Sequence, residues 1–295
     1  MSRGRYYTYF VSGLPRISME DTKLQIEPVS FIAQASTQLT KADQKLLKLL
    51  ELEASIPILI SLLYREEPQE LPIAYNQSFW EAFLEYARYK EENKDAPMPV
   101  RFKELPEAFL SLVIEFIPLE EKPDKLIFEH RFYQGLYEFA ARHRNTFVRA
   151  WFDYRRTARN IILALNGRSH KLDYAPWLVG DDELTQQLAT GRGSDFGIGK
   201  SSDIFEDYLR AYEQNTVLYR ERSYDTLAWK FIDDLNFFQY FSIDKVLGYY
   251  AQLLILSRWL SFDVEKGKQV FFDTLSSLRD SFSFPAEFNI KQKTK

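Results

Sequence analysis

The stretch from Asp124 to Arg168 constrains the fold of this chain more than any other. It contains no proline and, ahead of Asn166 and Gly167, only one glycine. Pro123 suits a first helical turn, and Asn166 with Gly167 suits a C-cap. At 100° per residue the apolar side chains fall within about a third of the helix circumference; they are Phe132, Tyr133, Leu136, Ala140, Phe147, Trp151, Tyr154, Ala158, Ile162 and Leu165. The pattern predicts one unbroken helix, roughly 65 Å long, as the spine of an elongated protein.

The composition favours an all-α protein. The chain has 295 residues, and glycine is scarce, with 11 residues, while Leu, Ile, Phe and Tyr carry the periodicity. We predict a single elongated multi-helix domain over residues 1–295, and a subdivision into lobes at about 1–120, 121–200 and 201–295 stays open. There is no cysteine, which excludes disulfides, thiolate zinc sites and cysteine nucleophiles.

Further helices are indicated along the rest of the chain. Thr40 is the predicted N-cap of a leucine-rich helix, which Pro57 either kinks or restarts. Residues 5–15 fit a short strand or a helix. The other predicted helices cover 28–38, Ser78 to about Asn93, about Pro106 to Phe116, a short helix opened by Asp181, Asp182 and Glu183, and about 203–222, 225–240, 243–262 and 264–281. The tail 291–295 is expected to fray.

Neither a leader nor a membrane span is expected. The N-terminus lacks the apolar core and the small-residue cleavage site of a signal peptide. The longest apolar run, Ala54 to Tyr64, is about half the length of a membrane-spanning helix and contains Pro57. The net charge of −4 argues against a general nucleic-acid binder. The absence of cysteine fits a reducing cytoplasm.

Residues 190–202 form a glycine-rich segment with a partial nucleotide motif. Gly199, Lys200 and Ser201 match the end of the phosphate-binding pattern GxxxxGK[ST], but Ser194 stands where its first glycine belongs. The preceding residues are polar and helical in pattern, whereas the motif follows a buried strand. A flexible connection between lobes is the favoured interpretation, and a nucleotide site is the minor alternative.

No catalytic or metal-binding constellation is visible. His130 and His143 would point about 140° apart on one helix, and His170 lies elsewhere, so we predict no metal site. The paired aspartates at 181–182 and 233–234 face different directions on a helix, which suits capping or a solvated face. Neither GxSxG nor SxxK occurs. The sequence predicts a protein without enzymatic activity or cofactor.

Four arginines of the predicted spine fall on one stripe roughly 100° wide beside the apolar face. They are Arg142, Arg149, Arg156 and Arg159, with Arg144 and Arg155 across the apolar face. In the simpler interpretation this is a solvated face whose arginine stems cover the edge of the core. In the functional interpretation the stripe is a docking surface for an acidic partner, because arginine forms bidentate pairs with carboxylates. RNA binding ranks lower, because no other basic cluster accompanies the stripe.

Three sequence segments resemble a bacterial family encoded beside V/A-type ATPase genes in Bacteroidetes, spirochaetes and chlamydiae. The opening Tyr6 to Pro15 resembles that family's "YYYLVASLP" start. Trp151, followed by Arg159-Asn160-Ile161, Ala164-Leu165 and Arg168, resembles its W-x7-R-N-I-x2-A-L-x2-R segment. Val179-Gly180-Asp181 followed by Asp195-Phe196-Gly197 also matches its pattern.

That family is in turn similar to the C-type subunit of archaeal V/A-type ATPases, whose eukaryotic counterpart in V-ATPases is the d-type subunit. A late helix of the C-type subunit resembles Ile243 to Trp259. The resemblance implies an all-helical, non-catalytic component of the central stalk (rotor). Its partners would be the central shaft subunits and the membrane proteolipid ring, and it would lie peripherally on the inner face of the cell membrane. The alternative is a helical adaptor that docks an acidic protein through the arginine stripe.

Overall fold

The structure is a computed structural model that describes residues 7–69, 71 and 73–260, and within these ranges it is built from helices, with no β-strand. The all-α prediction is confirmed. The helices are α1 Thr8–Ser12, α2 Pro28–Gln38, α3 Lys41–Leu63, α4 Gln77–Glu92, α5 Glu107–Phe116, α6 Lys125–Ala141, α7 Thr146–His170, α8 Glu183–Thr190, α9 Asp203–Tyr212 and α10 Val217–Leu235. A further helix, α11, covers 243–260. The predicted helix 264–281 and the frayed tail 291–295 lie outside the described residues.

The prediction of one unbroken spine helix is wrong, because the chain turns between α6 and α7. Asn145 is the N-cap of α7: its side-chain oxygen accepts a hydrogen bond from the Val148 amide at 2.8 Å, and its amide nitrogen donates to Asp244 at 2.9 Å. The two helices, roughly 26 and 38 Å long, pack against each other as a hairpin. α7 also continues past Gly167 to His170, and the left-handed Lys171 (φ 55°) follows it.

Other helix boundaries follow the side-chain caps. Thr40 caps α3 as predicted, and α3 continues through Pro57, so this proline does not restart the helix. The cap of α4 is Asn76 rather than the predicted Ser78, which lies inside the helix. Residues 203–240 divide at Thr216, which caps α10 by accepting from the Tyr219 amide at 3.2 Å. The predicted boundary between helices 203–222 and 225–240 is therefore wrong.

The first described residues pack against the last described helix. The sequence allows a strand or a helix in residues 5–15, and the structure has the helix α1 there. Just before α1, the Tyr7 amide donates to the Phe241 carbonyl at 2.6 Å. In α2, the ring of Phe31 stacks on that of Tyr250 with centroids 5.2 Å apart. The buried Glu51 of α3 accepts a hydrogen bond from the Tyr250 hydroxyl. Residues far apart in the chain thus complete one continuous core.

Candidate functional site

A cleft of about 560 Å³ lies where α3, α7, α10 and α11 meet. Tyr133 of α6 and Tyr208 of α9 add to its walls. The lining is largely aliphatic and aromatic, but it also contains three arginines and three carboxylates: Glu53, Arg155, Arg159, Glu221, Asp225 and Arg258. Most of these charges are paired inside the protein, and the exceptions determine what the cleft can bind.

Glu53 and Arg155 form the ion pair at one wall. Arg155 donates from Nε to Oε2 of Glu53 at 3.0 Å and from Nη2 to Oε1 at 3.2 Å, and the Tyr137 hydroxyl donates to Oε1 at 2.8 Å. Burial alone would raise the pKa of Glu53, but the charge and hydrogen bonds of Arg155 outweigh it and hold that pKa below its usual value. Glu53 is therefore ionised at neutral pH and fully occupied by its partners.

Asp225 is the centre of the opposite wall. Its carboxylate is 4% exposed and accepts hydrogen bonds from Arg258 and from the Trp259 indole N–H. Burial raises the pKa of Tyr208 and that of Tyr224 to about 12. Both phenols therefore stay protonated at neutral pH, and they add no negative charge to the cleft.

Arg159 is the exception among the three arginines. Its guanidinium lies over the Tyr133 ring, 4.0 Å from the centroid. Its Nε atom is buried and has no hydrogen-bond partner among the described residues. His130, on α6, has a lowered pKa, mainly because it is buried and also because the positive charge of Arg159 is near. The cleft therefore contains a cation that the described part of the protein does not neutralise by an ion pair.

The structure does not keep the four arginines of the predicted stripe together. Arg142 is the exposed C-cap of α6, and Arg149, on α7, donates to the His143 carbonyl at 3.2 Å. Arg156 bonds the Val179 carbonyl at 2.9 Å and also pairs with Asp153 and Asp182. Of the four, it is Arg159 that lines the cleft. The break before α7 separates Arg142 from the other three arginines, which share α7 but have different contacts.

The other residues of the R-N-I segment hold a loop against α7. The buried Asn160 donates to the Val179 carbonyl at 2.8 Å and accepts from the Val179 amide at 3.0 Å. Arg168 donates to the Gly191 carbonyl at 2.8 Å, and its guanidinium lies 3.4 Å from the centroid of the Phe196 ring. These contacts have a structural role that the sequence pattern alone does not reveal.

The glycine-rich segment does not have the setting of a nucleotide loop. It follows α8, a helix, and it ends in a 3₁₀ turn at Gly199–Ser201 before α9. Phe196 and Ile198 are buried. The segment is therefore anchored to the core, which differs from the flexible connection that its composition predicts.

Two exposed apolar surfaces lie at opposite ends of α10. The 217–219 surface consists of Val217, Leu218 and Tyr219, and the 237–241 surface consists of Phe237, Phe238, Tyr240 and Phe241. Phe238 is 78% exposed and Tyr219 is 60% exposed. Tyr9 is 86% exposed. It lies two positions after Tyr7, whose amide donates to the Phe241 carbonyl. Such patches on a protein surface are typical of contact sites for other proteins.

The fold and the cleft define an all-α, multi-helix protein with a charged, aromatic-lined cavity and apolar end surfaces. The chain belongs to the family described as Protein of unknown function (DUF2764), whose model matches residues 3–281. No curated protein and no solved structure matches the chain. In the described part of the chain, no helix has both the length and the apolarity to cross a bilayer, and no group of three or more His, Asp or Glu could hold a metal ion.

Proposed function

We propose that this protein is a non-catalytic coupling component of a V/A-type ATPase, equivalent to the C-type subunit, which joins the central shaft to the membrane proteolipid ring. It would lie peripherally on the inner face of the cell membrane and take part in ATP-driven or ATP-forming ion transport. The sequence support is the resemblance carried by Tyr6 to Pro15 and by the segment from Trp151 to Arg168.

The two apolar surfaces at the ends of α10 are the observation that carries this proposal. A coupling component has to contact one partner on each side. α10 has 19 residues and is therefore roughly 28 Å long, so the 217–219 and 237–241 surfaces are far enough apart to contact different proteins. Aromatic side chains such as Tyr219 and Phe238 provide much of the binding energy at protein interfaces.

The connection between these surfaces is suited to transmitting force. α10 packs along α9, and Tyr224, Ala228 and Ile232 of α10 are buried. The ring of Phe231 stacks on that of Tyr154 in α7 with centroids 4.2 Å apart. Densely packed helices deform little, so a displacement applied at one surface would reach the other.

The test is affinity purification of the tagged full-length protein from its native cells in mild detergent, followed by mass spectrometry. We expect stoichiometric recovery of the ATPase catalytic, shaft and proteolipid subunits. Phe238→Ser should lower recovery of the partner at one end and Tyr219→Ser that of the partner at the other end. Tyr89→Ser, at an exposed tyrosine of α4, is the matched control. A native ATPase complex that lacks this protein would refute the proposal.

A helical adaptor for an acidic protein is the second candidate. Arg142, Arg144 and Arg149 are exposed around the turn between α6 and α7, and this cationic turn is the observation that favours it. Reversing Arg142 and Arg149 to glutamate should then abolish partner binding and leave the helix content unchanged. Binding that survives the double reversal would exclude the adaptor function.

A further inference from the structure

The cleft between α3, α7, α10 and α11 contains an arginine whose bonding capacity is not used. Glu53 accepts three hydrogen bonds from Arg155 and Tyr137, and Asp225 is bound by Arg258 and Trp259. The third carboxylate of the cleft, Glu221, is exposed. Arg159 stacks on the Tyr133 ring. Among the described residues, no acceptor bonds its buried Nε.

A buried donor without an acceptor is unfavourable, so native proteins usually supply one. Arginine offers a planar fork that matches the two oxygens of a carboxylate or phosphate. In the cleft, Glu53 and Asp225 are each bound by another arginine, Arg155 and Arg258, so neither is the partner of Arg159. An anionic group in the cleft beside the Arg159 guanidinium would therefore neutralise a charge that forms no ion pair among the described residues.

The remaining walls indicate the kind of molecule to which this anionic group belongs. Trp151, Ile162, Tyr224 and Leu254 line the cleft, and they present mainly carbon to its interior. Its volume of about 560 Å³ falls within the range of small-molecule pockets, which are mostly apolar with a few polar anchors. A bare inorganic anion would leave these walls without contacts.

We propose that the cleft binds a small organic anion, whose carboxylate or phosphate group pairs with Arg159 and whose apolar body packs against Trp151, Tyr224 and Leu254. Arg155 and Arg258 stay with their own carboxylates and shape the walls. The site rests on the geometry of the cleft alone and does not depend on the proposed coupling function.

The experiment is calorimetric titration of the full-length protein with phenylacetate, phenyl phosphate, inorganic phosphate and benzyl alcohol. At least one of the two aromatic anions should bind with a Kd below about 1 mM, and more tightly than both inorganic phosphate and the neutral alcohol. Whichever aromatic anion binds more tightly identifies the head group. Absence of binding by both at about 10 mM, or equal binding of benzyl alcohol, would overturn the proposal.

Two arginine variants on α7 make the test specific. Arg159→Gln should weaken binding of the aromatic anion about 10- to 100-fold, which is the expected effect of losing a charge-assisted hydrogen bond. Arg149→Gln changes the charge equally outside the cleft and should leave the Kd unchanged. Equal effects of the two substitutions would show that Arg159 is not the anchor.

Hydrogen exchange of the wild-type protein gives an answer even if Arg159→Gln fails to fold. Saturation with the aromatic anion should increase protection in the cleft segments of α7 and α10, around residues 151–163 and 221–225. Protection confined to helices that do not line the cleft, such as α4 and α5, would overturn the assignment of the site.

Discussion

Replacing Arg155 by methionine should destabilise the protein because it leaves Glu53 as an unpaired charge in a largely buried position. The Glu53 side chain is 15% exposed and that of Arg155 is 36% exposed. Removing one partner of a fully buried pair costs about 3–5 kcal/mol. Since solvent screens the Arg155 end, we expect a loss of about 2–3 kcal/mol in the free energy of unfolding at pH 7.

The pH dependence of this loss follows from the pKa of Glu53, which lies below its usual 4.5 in the folded protein. The pair therefore contributes its full stability above pH 4.5, and that contribution is lost as the pH falls through the lower folded-state pKa. In Arg155→Met, burial is no longer opposed by Arg155, so the pKa of Glu53 rises and protonation relieves the buried charge. The difference in stability between wild type and variant should thus be smaller at pH 4 than at pH 7.

Urea unfolding followed by far-UV circular dichroism measures these differences. In a double-mutant cycle with Glu53→Gln, we expect a coupling free energy of about 1.5–2.5 kcal/mol. The control is Arg131→Met, which breaks a surface pair with Glu115 and should cost less than about 1 kcal/mol. A coupling below about 0.5 kcal/mol, or a loss that does not change with pH, would refute the reasoning.

Three further predictions concern the core. Gly167→Ala should destabilise the protein by about 1–2 kcal/mol in urea unfolding, because the added Cβ would lie 2.5 Å from the Tyr174 ring; an unchanged midpoint would contradict this. Asn160→Ala should cost about 2–4 kcal/mol, since it leaves a buried amide and carbonyl of the loop unpaired, whereas Asn166→Ala at the exposed face of α7 should be nearly neutral. Burial raises the pKa of Glu51 above its usual 4.5. The free energy of unfolding of the wild type should therefore fall relative to that of Glu51→Gln as the pH rises from 4.5 through the folded-state pKa. Parallel pH profiles of the two unfolding free energies would exclude this.

Helix formation and several helix starts can be predicted from the sequence because they depend on neighbouring residues. Thr40 and Asp182 are recognisable as starting points from their position before an apolar or acidic run, and both side chains form cap hydrogen bonds. The break at Asn145 escapes the periodicity because the apolar residues before and after it remain in phase with a single helix. The Asn145-Thr146 pair is the available signal, since asparagine is a strong N-cap residue.

The cleft cannot be predicted in the same way. Glu53 and Arg155 are 102 positions apart in the chain, and Asp225 meets Arg258 from a different helix. Periodicity assigns each side chain to a face of its own helix, but it does not indicate which helices come together. The sequence marks Arg159 as one of four aligned arginines, and only the packing of α7 on α6 shows that it faces the cleft.

The packing of the first helices on the last described helix has a consequence for synthesis on the ribosome. Glu51 and Tyr250 are 199 positions apart, so the ribosome adds 199 further residues after Glu51 before Tyr250 is available to α2 and α3. At about 5–20 residues per second, this interval lasts roughly 10–40 s. During that time the ring of Phe31 has no Tyr250 to stack on, and the nascent chain presents an apolar N-terminal segment that chaperones can bind.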